Sequence, residues 1–184
     1  MADSRFTDKT AVVTGGAGNL GRAVARRLAA EGAAVLVADL SEDRLHETVE
    51  AIENEGGTAA YTVADVTDPE SVQRYVEDAA ALGDGSIAAF FNNAGIEGEV
   101  APIGDYDPDV FDKVLAVNVR GVFLGLRYVA PKMRAGAAIV NTSSVAGVVG
   151  FPGGTGYVAS KHAVIGLTKV AALIWRRRAS ASTP

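Results

Sequence analysis

Apolar positions along the chain fall into short runs separated by longer stretches with helical spacing. Ala11-Val12-Val13 reads as a buried strand running into glycines, and Leu20 to Ala30 follows with Val24 and Leu28 on one helical face. Ala34 to Ala38 is a second unbroken apolar run. Ser41 then caps a helix whose first turn holds Glu42 and Asp43, where the helix dipole favours acids. Thr58 to Val63 makes a third strand, and Asp68-Pro69 opens a helix with an N-cap acid and proline at the first position. Ile87 to Phe91 is a fourth strand, and Asp107-Pro108 starts a long helix running toward Tyr128. Ala138-Ile139-Val140 is the fifth strand, and a last helix starts near Gly156.

Strands that are apolar throughout, rather than alternating, belong to a parallel sheet covered on both faces. Five such strand–helix units predict an α/β fold with a doubly wound parallel sheet, Rossmann-like, because each parallel crossover carries a helix. The 184 residues suit one domain, and no repeat or linker divides them.

Composition narrows the function classes. An apolar share of 48% with 21% charged residues is that of an ordinary globular protein. A net charge of −5 argues against a nucleic-acid surface; the one basic run, Arg176-Arg177-Arg178, reads as a solvated patch. Cysteine is absent, which removes disulfide and thiol chemistry, and no metal site is expected. Met1 to Lys9 lacks a signal-peptide pattern, and Val114 to Leu126 is broken by Asn118 and Arg120. The expectation is a cytoplasmic protein with no membrane span.

Thr14-Gly15-Gly16-Ala17-Gly18-Asn19-Leu20-Gly21 lies between the first strand and its helix. Glycines there let the backbone approach a pyrophosphate, while the helix N-terminus offers free N–H groups. Asp39 ends the second strand, 18 residues after Gly21. A carboxylate at that point accepts hydrogen bonds from ribose hydroxyls and repels a 2′-phosphate, which favours NAD over NADP. Its plainer reading is a turn or capping acid.

From about Lys9 to Leu173 the chain resembles the short-chain dehydrogenase/reductase family. The family's Thr-Gly-x-x-x-Gly-x-Gly is matched by Thr14, Gly15 and Gly21, with Asn19 in place of the middle glycine. Asparagine is expected to keep that turn because it tolerates the left-handed conformation. Asp65-Val66 resembles the pair that meets the adenine, and Asn92-Asn93-Ala94-Gly95 the turn beside the nicotinamide ribose. Asn118 resembles the asparagine that interrupts its helix to hold a water. Ser144, thirteen residues before Tyr157, and Lys161, four after it, match the family's Ser, Tyr and Lys.

The resemblance implies an NAD-dependent oxidoreductase acting on a secondary alcohol or ketone, active as a homodimer or homotetramer. The implied catalytic set is Asn118, Ser144, Tyr157 and Lys161. The implied cofactor set is Gly15, Asn19, Leu20, Gly21, Asp39, Asp65, Val66, Asn92, Ala94, Gly95, Tyr157 and Lys161. A free phenol ionises near pH ~10, too high for a base at neutral pH; a nearby ammonium and the positive nicotinamide favour phenolate. Ser144 would polarise the substrate oxygen; Ser143 is the rival, disfavoured by the spacing. His46 and His162 read as structural or solvated. The alternative is an inactive fold that binds dinucleotide or nothing.

Residues 1–173 read as the dinucleotide-binding domain and 174–184 as an aberrant tail, with the family's last strands missing. Dropping one base from a GC-rich coding of Asp-Leu-Ala-Pro-Ala-Gly-Ile-Arg-Val-Asn-Ala-Pro yields Ile174 to Pro184 residue for residue. A frameshift near codon 174 is therefore expected, leaving the fifth strand as an exposed apolar edge.

Overall fold

A computed structural model describes the backbone of residues 4–181 and the side chains of residues 4–175. Five strands, β1 (Thr10–Thr14), β2 (Ala34–Asp39), β3 (Thr58–Val63), β4 (Ile87–Asn92) and β5 (Met133–Asn141), form one sheet in the order β3-β2-β1-β4-β5. Every pairing is parallel; Val12 of β1, for example, sits between Leu36 and Phe90. The Rossmann-like, doubly wound plan expected from the apolar runs is the one found.

Neighbouring residues of β1 point to opposite faces, and both faces are covered. Ala11 and Val13 pack with Ala25, Leu45 and Ile52 from α1 (Asn19–Ala30) and α2 (Glu42–Asn54). Val12 packs the other way, with Val72 and Tyr75 of α3 (Pro69–Ala81) and with Phe90. The strand order reverses beside β1, whose neighbours β2 and β4 carry the chain in opposite directions across the sheet. In open α/β sheets, ligands sit at the carboxyl end of that switch point.

Two helix starts are as read. The Asp68 side chain accepts from the N–H groups of Glu70 (3.3 Å) and Ser71 (3.1 Å), and Asp107 from Asp109 (2.8 Å). Ser41 stands at the N-cap of α2 but makes no capping hydrogen bond. Asp39 has taken over that turn, its Oδ1 accepting from the Leu40 N–H at 2.7 Å.

The long helix is in three parts, α4 (Pro108–Leu115), a π-helical turn (Ala116–Gly121) and α5 (Val122–Val129). Asn118 lies in the turn, which widens the helix at the asparagine that the resemblance singled out. β5 begins at Met133, ahead of the expected Ala138: Met133 already pairs with Ile87, and the register then shifts before Ala138 meets Ala89, with Gly136 between them at a φ of 85°. Among the described residues β5 pairs with β4 alone, and Val140 is 57% exposed, so β5 is an open edge.

By length and hydropathy two helices, Pro108–Lys132 and Thr155–Trp175, could cross a membrane, so the break at Asn118 and Arg120 does not exclude it on composition. The first is 44% buried and supplies core residues Val114, Val122, Leu124 and Val129, as a sheet-covering helix does. The last helix, α6 (Thr155–Ala181), continues into the segment read as an aberrant tail. The remainder of that segment, residues 182–184, and the side chains from Arg176 onward lie outside the described residues.

Candidate active site

A cleft of about 720 Å³ opens at the carboxyl ends of the strands. Of the residues singled out from the sequence, Gly15, Asn19, Leu20, Gly21, Asp39, Asp65, Val66, Ala94, Gly95, Tyr157 and Lys161 line it. Asn92, Asn118 and Ser144 are not on its wall. Ile96, Thr142, Lys113 and Val117 also line it and were missed as site residues.

The first loop is shaped by close packing. Gly15 has a φ of 69°, and a methyl on it would meet Asn93 Nδ2 at 2.8 Å. A methyl on Gly21 would stand 2.1 Å from the Gly15 carbonyl oxygen, so α1 can lie against the loop only with glycine there. Asn19 corrects the expectation of a left-handed residue. It is the first residue of α1, and the only described non-glycine residue with positive φ is Asp8. A position without positive φ requires neither glycine nor asparagine for its backbone.

α1 differs from α3 and α4 at its start. Its N-cap is Gly18, which has no side chain to bond the helix, and its first turn carries no acid. The free N–H groups and the positive end of the dipole therefore face the cleft unclaimed. Asp39 holds the rim of the loop, its Oδ2 accepting from Ala17 N–H at 3.1 Å while Oδ1 accepts from Leu40. It is thus both the turn acid and a wall of the cleft.

Thr14 joins the two loops at the switch point. Its Oγ1 accepts from the N–H groups of Asn93 (2.9 Å) and Ala94 (3.2 Å), and Asn93 Nδ2 donates back to the Thr14 carbonyl (3.1 Å). Asn92 is buried and donates to Val122 O (3.0 Å) and Asn141 Oδ1 (3.1 Å), which ties β4 to α5 and β5. Its place is in the support of the sheet.

Asn118 is fully buried. Its Oδ1 accepts from Ile96 N–H at 2.8 Å, and its Nδ2 donates to Ile96 O (2.8 Å) and Ser160 Oγ (3.0 Å). Ser160 in turn donates to the Tyr157 carbonyl at 2.7 Å. Both amide donors of Asn118 are used, so the side chain fastens the loop after β4 to α6.

Tyr157 is half-buried, one helical turn from Lys161, whose Nζ lies 5.4 Å from the Tyr157 ring centroid and donates to Thr142 O at 2.9 Å. Burial holds the Lys161 ammonium below the usual lysine range. A methyl on Gly95 would come 3.0 Å from Asn118 Oδ1 and 3.6 Å from Lys161 Nζ, so glycine keeps this corner open. The two serines differ: Ser143 Oγ donates to the Lys161 carbonyl at 3.0 Å, whereas Ser144 Oγ accepts from Ala146 N–H at 3.1 Å. The proton of Ser143 is spent on α6. That of Ser144 has no acceptor among the described residues.

The missed residues act mainly through backbone groups or stand beside motifs. Ile96 follows Gly95, Thr142 precedes the serines, and Lys113 and Val117 are four apart on one helix face. The last spacing is the one sequence signal available.

Comparison with known proteins gives the family. Residues 9–179 match the short chain dehydrogenase family, and this chain belongs to it. It is 44% identical over 178 residues to levodione reductase of Leifsonia aquatica, covering 95% of this chain and 66% of that protein. The crystal structure of levodione reductase superposes with a TM-score of 0.90 over 94% of this chain and 68% of that one. A crystal structure of NAD⁺-bound xylitol dehydrogenase matches at 41% identity and TM-score 0.88, over 92% of this chain and 65% of that chain. A short chain dehydrogenase from Burkholderia cenocepacia in complex with NADP matches at 36% and 0.88, over 95% and 71%. The chain thus spans about two thirds of the length of these relatives.

Proposed function

We propose that this protein is an NAD-dependent oxidoreductase that interconverts a secondary alcohol and a ketone. The observation that carries the reading is the Tyr157–Lys161 pair on one face of α6, at the wall of a cleft whose floor is the glycine loop. A nicotinamide dinucleotide fits the residues present: the glycines leave room for a pyrophosphate, and the unclaimed N–H groups of α1 suit its charge. When bound, the cofactor accepts or returns a hydride.

Tyr157 removes the alcohol proton in oxidation and returns it in reduction. Lys161 holds the ribose and, as an ammonium, favours the phenolate. Ser144, with an uncommitted proton, holds the substrate oxygen. Asn118 keeps Ile96 and α6 in register beside the Tyr157–Lys161 pair. Asp39 accepts from the adenosine ribose hydroxyls and disfavours a 2′-phosphate, which supports NAD although one relative is solved with NADP. A homodimer or homotetramer would pair through the groove between α5 and α6, where Phe123, Val170 and Ile174 are exposed.

The test is NADH formation from a panel of secondary alcohols. Tyr157→Phe should lower turnover by at least about a hundredfold and leave NADH affinity intact; full activity in that variant contradicts the assignment. The second reading, a fold that binds dinucleotide or nothing without turnover, is favoured by the open β5 edge and by exposed Val145 and Val148 beside Ser144. It predicts that wild type and Tyr157→Phe are alike.

A further inference from the structure

Tyr106 is 9% exposed, and its hydroxyl is buried with no hydrogen-bond partner among the described residues. It stands between two segments that meet beside the Tyr157–Lys161 pair. A methyl on Gly98 would lie 2.9 Å from that hydroxyl, and a methyl on Gly156 would lie 2.8 Å from it and 3.4 Å from the ring carbon that bears it. The ring is held from the side by Phe111, edge to face, with centroids 6.4 Å apart. The same segments also meet at Gly153, whose carbonyl accepts from Ala101 N–H at 3.2 Å. Two glycines have therefore cleared the space that the Tyr106 ring fills, and one of them immediately precedes Tyr157.

We propose that Tyr106 is a positioning residue for Tyr157. The hydroxyl end of its ring, wedged between Gly98 and Gly156, sets where α6 begins and so where the Tyr157 hydroxyl stands. The proposal rests on the enzymatic reading for its kinetic consequence, but not for its geometry. Because the Tyr106 hydroxyl has no partner, the wedge acts through shape. A buried, closely packed ring cannot swing aside, so added volume at Gly156 must move the backbone that carries Tyr157. Displacements of that size are costly to turnover because the reacting groups must be held at near-contact distances.

The test uses Tyr106→Phe, Gly156→Ala and the double variant in the full chain, with the ¹³Cζ resonance of Tyr157, NADH affinity and turnover as readouts. Tyr106→Phe removes the hydroxyl that meets both glycines and should shift the Tyr157 resonance and lower kcat by about threefold or more, with NADH affinity held within about twofold; a silent Tyr106→Phe overturns the proposal. Gly156→Ala should shift the Tyr157 resonance and lower kcat by about tenfold or more, with NADH affinity held within about twofold. Adding Tyr106→Phe to Gly156→Ala makes room for the new methyl and should restore both the resonance and kcat. A silent Gly156→Ala, or a double variant no better than the single one, overturns the proposal. So does a Gly156→Ala variant that loses thermal stability while its Tyr157 resonance stays in place. If wild type shows no turnover but the resonance shifts and recovers as expected, the wedge stands and the enzymatic reading fails.

Discussion

The fully buried side chain of Asn118 and the half-buried backbone of Ile96 exchange two hydrogen bonds, each 2.8 Å long. An amide side chain here does what a neighbouring strand would do, satisfying the N–H and C=O of a loop that has no strand beside it. Asn118→Ala leaves both Ile96 groups without their partner. Unfolding in urea should show a loss of about 2–4 kcal/mol. A loss under about 0.5 kcal/mol would mean that the loop is held by something else.

Gly21→Ala places a methyl 2.1 Å from the Gly15 carbonyl oxygen, a backbone atom that cannot turn away. The helix must back off from the loop. Stability should fall by roughly 1–3 kcal/mol, and NADH affinity should fall with it. Unchanged affinity in this variant would separate the loop geometry from cofactor binding.

Glu31 is buried and receives Arg5 (2.5 and 2.6 Å) and Arg27 (2.5 Å), which hold its carboxyl at about 2. A carboxyl depressed in the folded state adds stability above its unfolded pKa and loses it as pH falls through the folded value. The contribution should thus be present at neutral pH and fade between roughly pH 4.3 and 2. Melting temperatures of wild type and Glu31→Gln should converge across that window. A constant gap between them would contradict the ion pairs.

Lys161→Met removes a buried ammonium that burial already disfavours. The variant should keep or gain thermal stability, while turnover falls by at least about a hundredfold and NADH binds more weakly. A folded variant that retains turnover would take Lys161 out of the proposed site.

Local chemistry made much of this structure legible in advance. Asp68-Pro69 and Asp107-Pro108 mark helix starts because an acid cap accepts from the first unpaired N–H groups while a proline at the first position lacks one, and both acids do accept those bonds. Thr58–Val63 was read to its boundaries because β-branched and aromatic residues end there in a change to acids and turns. The register shift around Gly136 and the conformation of Asn19 depend on tertiary packing, which leaves no period in the sequence, whereas the break of the helix at Asn118 was legible through the family resemblance alone. The site followed the same division. Gly15, Asp39, Tyr157 and Lys161 announce themselves by type and spacing. Ile96 and Thr142 contribute carbonyls and N–H groups, which every residue has, and Tyr106 matches no motif.

The most direct test of the account is titration of NADH into the purified chain, followed by fluorescence, with NADPH and an Asp39→Ala variant in parallel. The account predicts saturable NADH binding at least about tenfold tighter than NADPH, a difference of ~1.4 kcal/mol, which shrinks or reverses in Asp39→Ala. Equal or tighter binding of NADPH to the wild type would contradict the role of Asp39, and no binding of either would contradict the dinucleotide site itself.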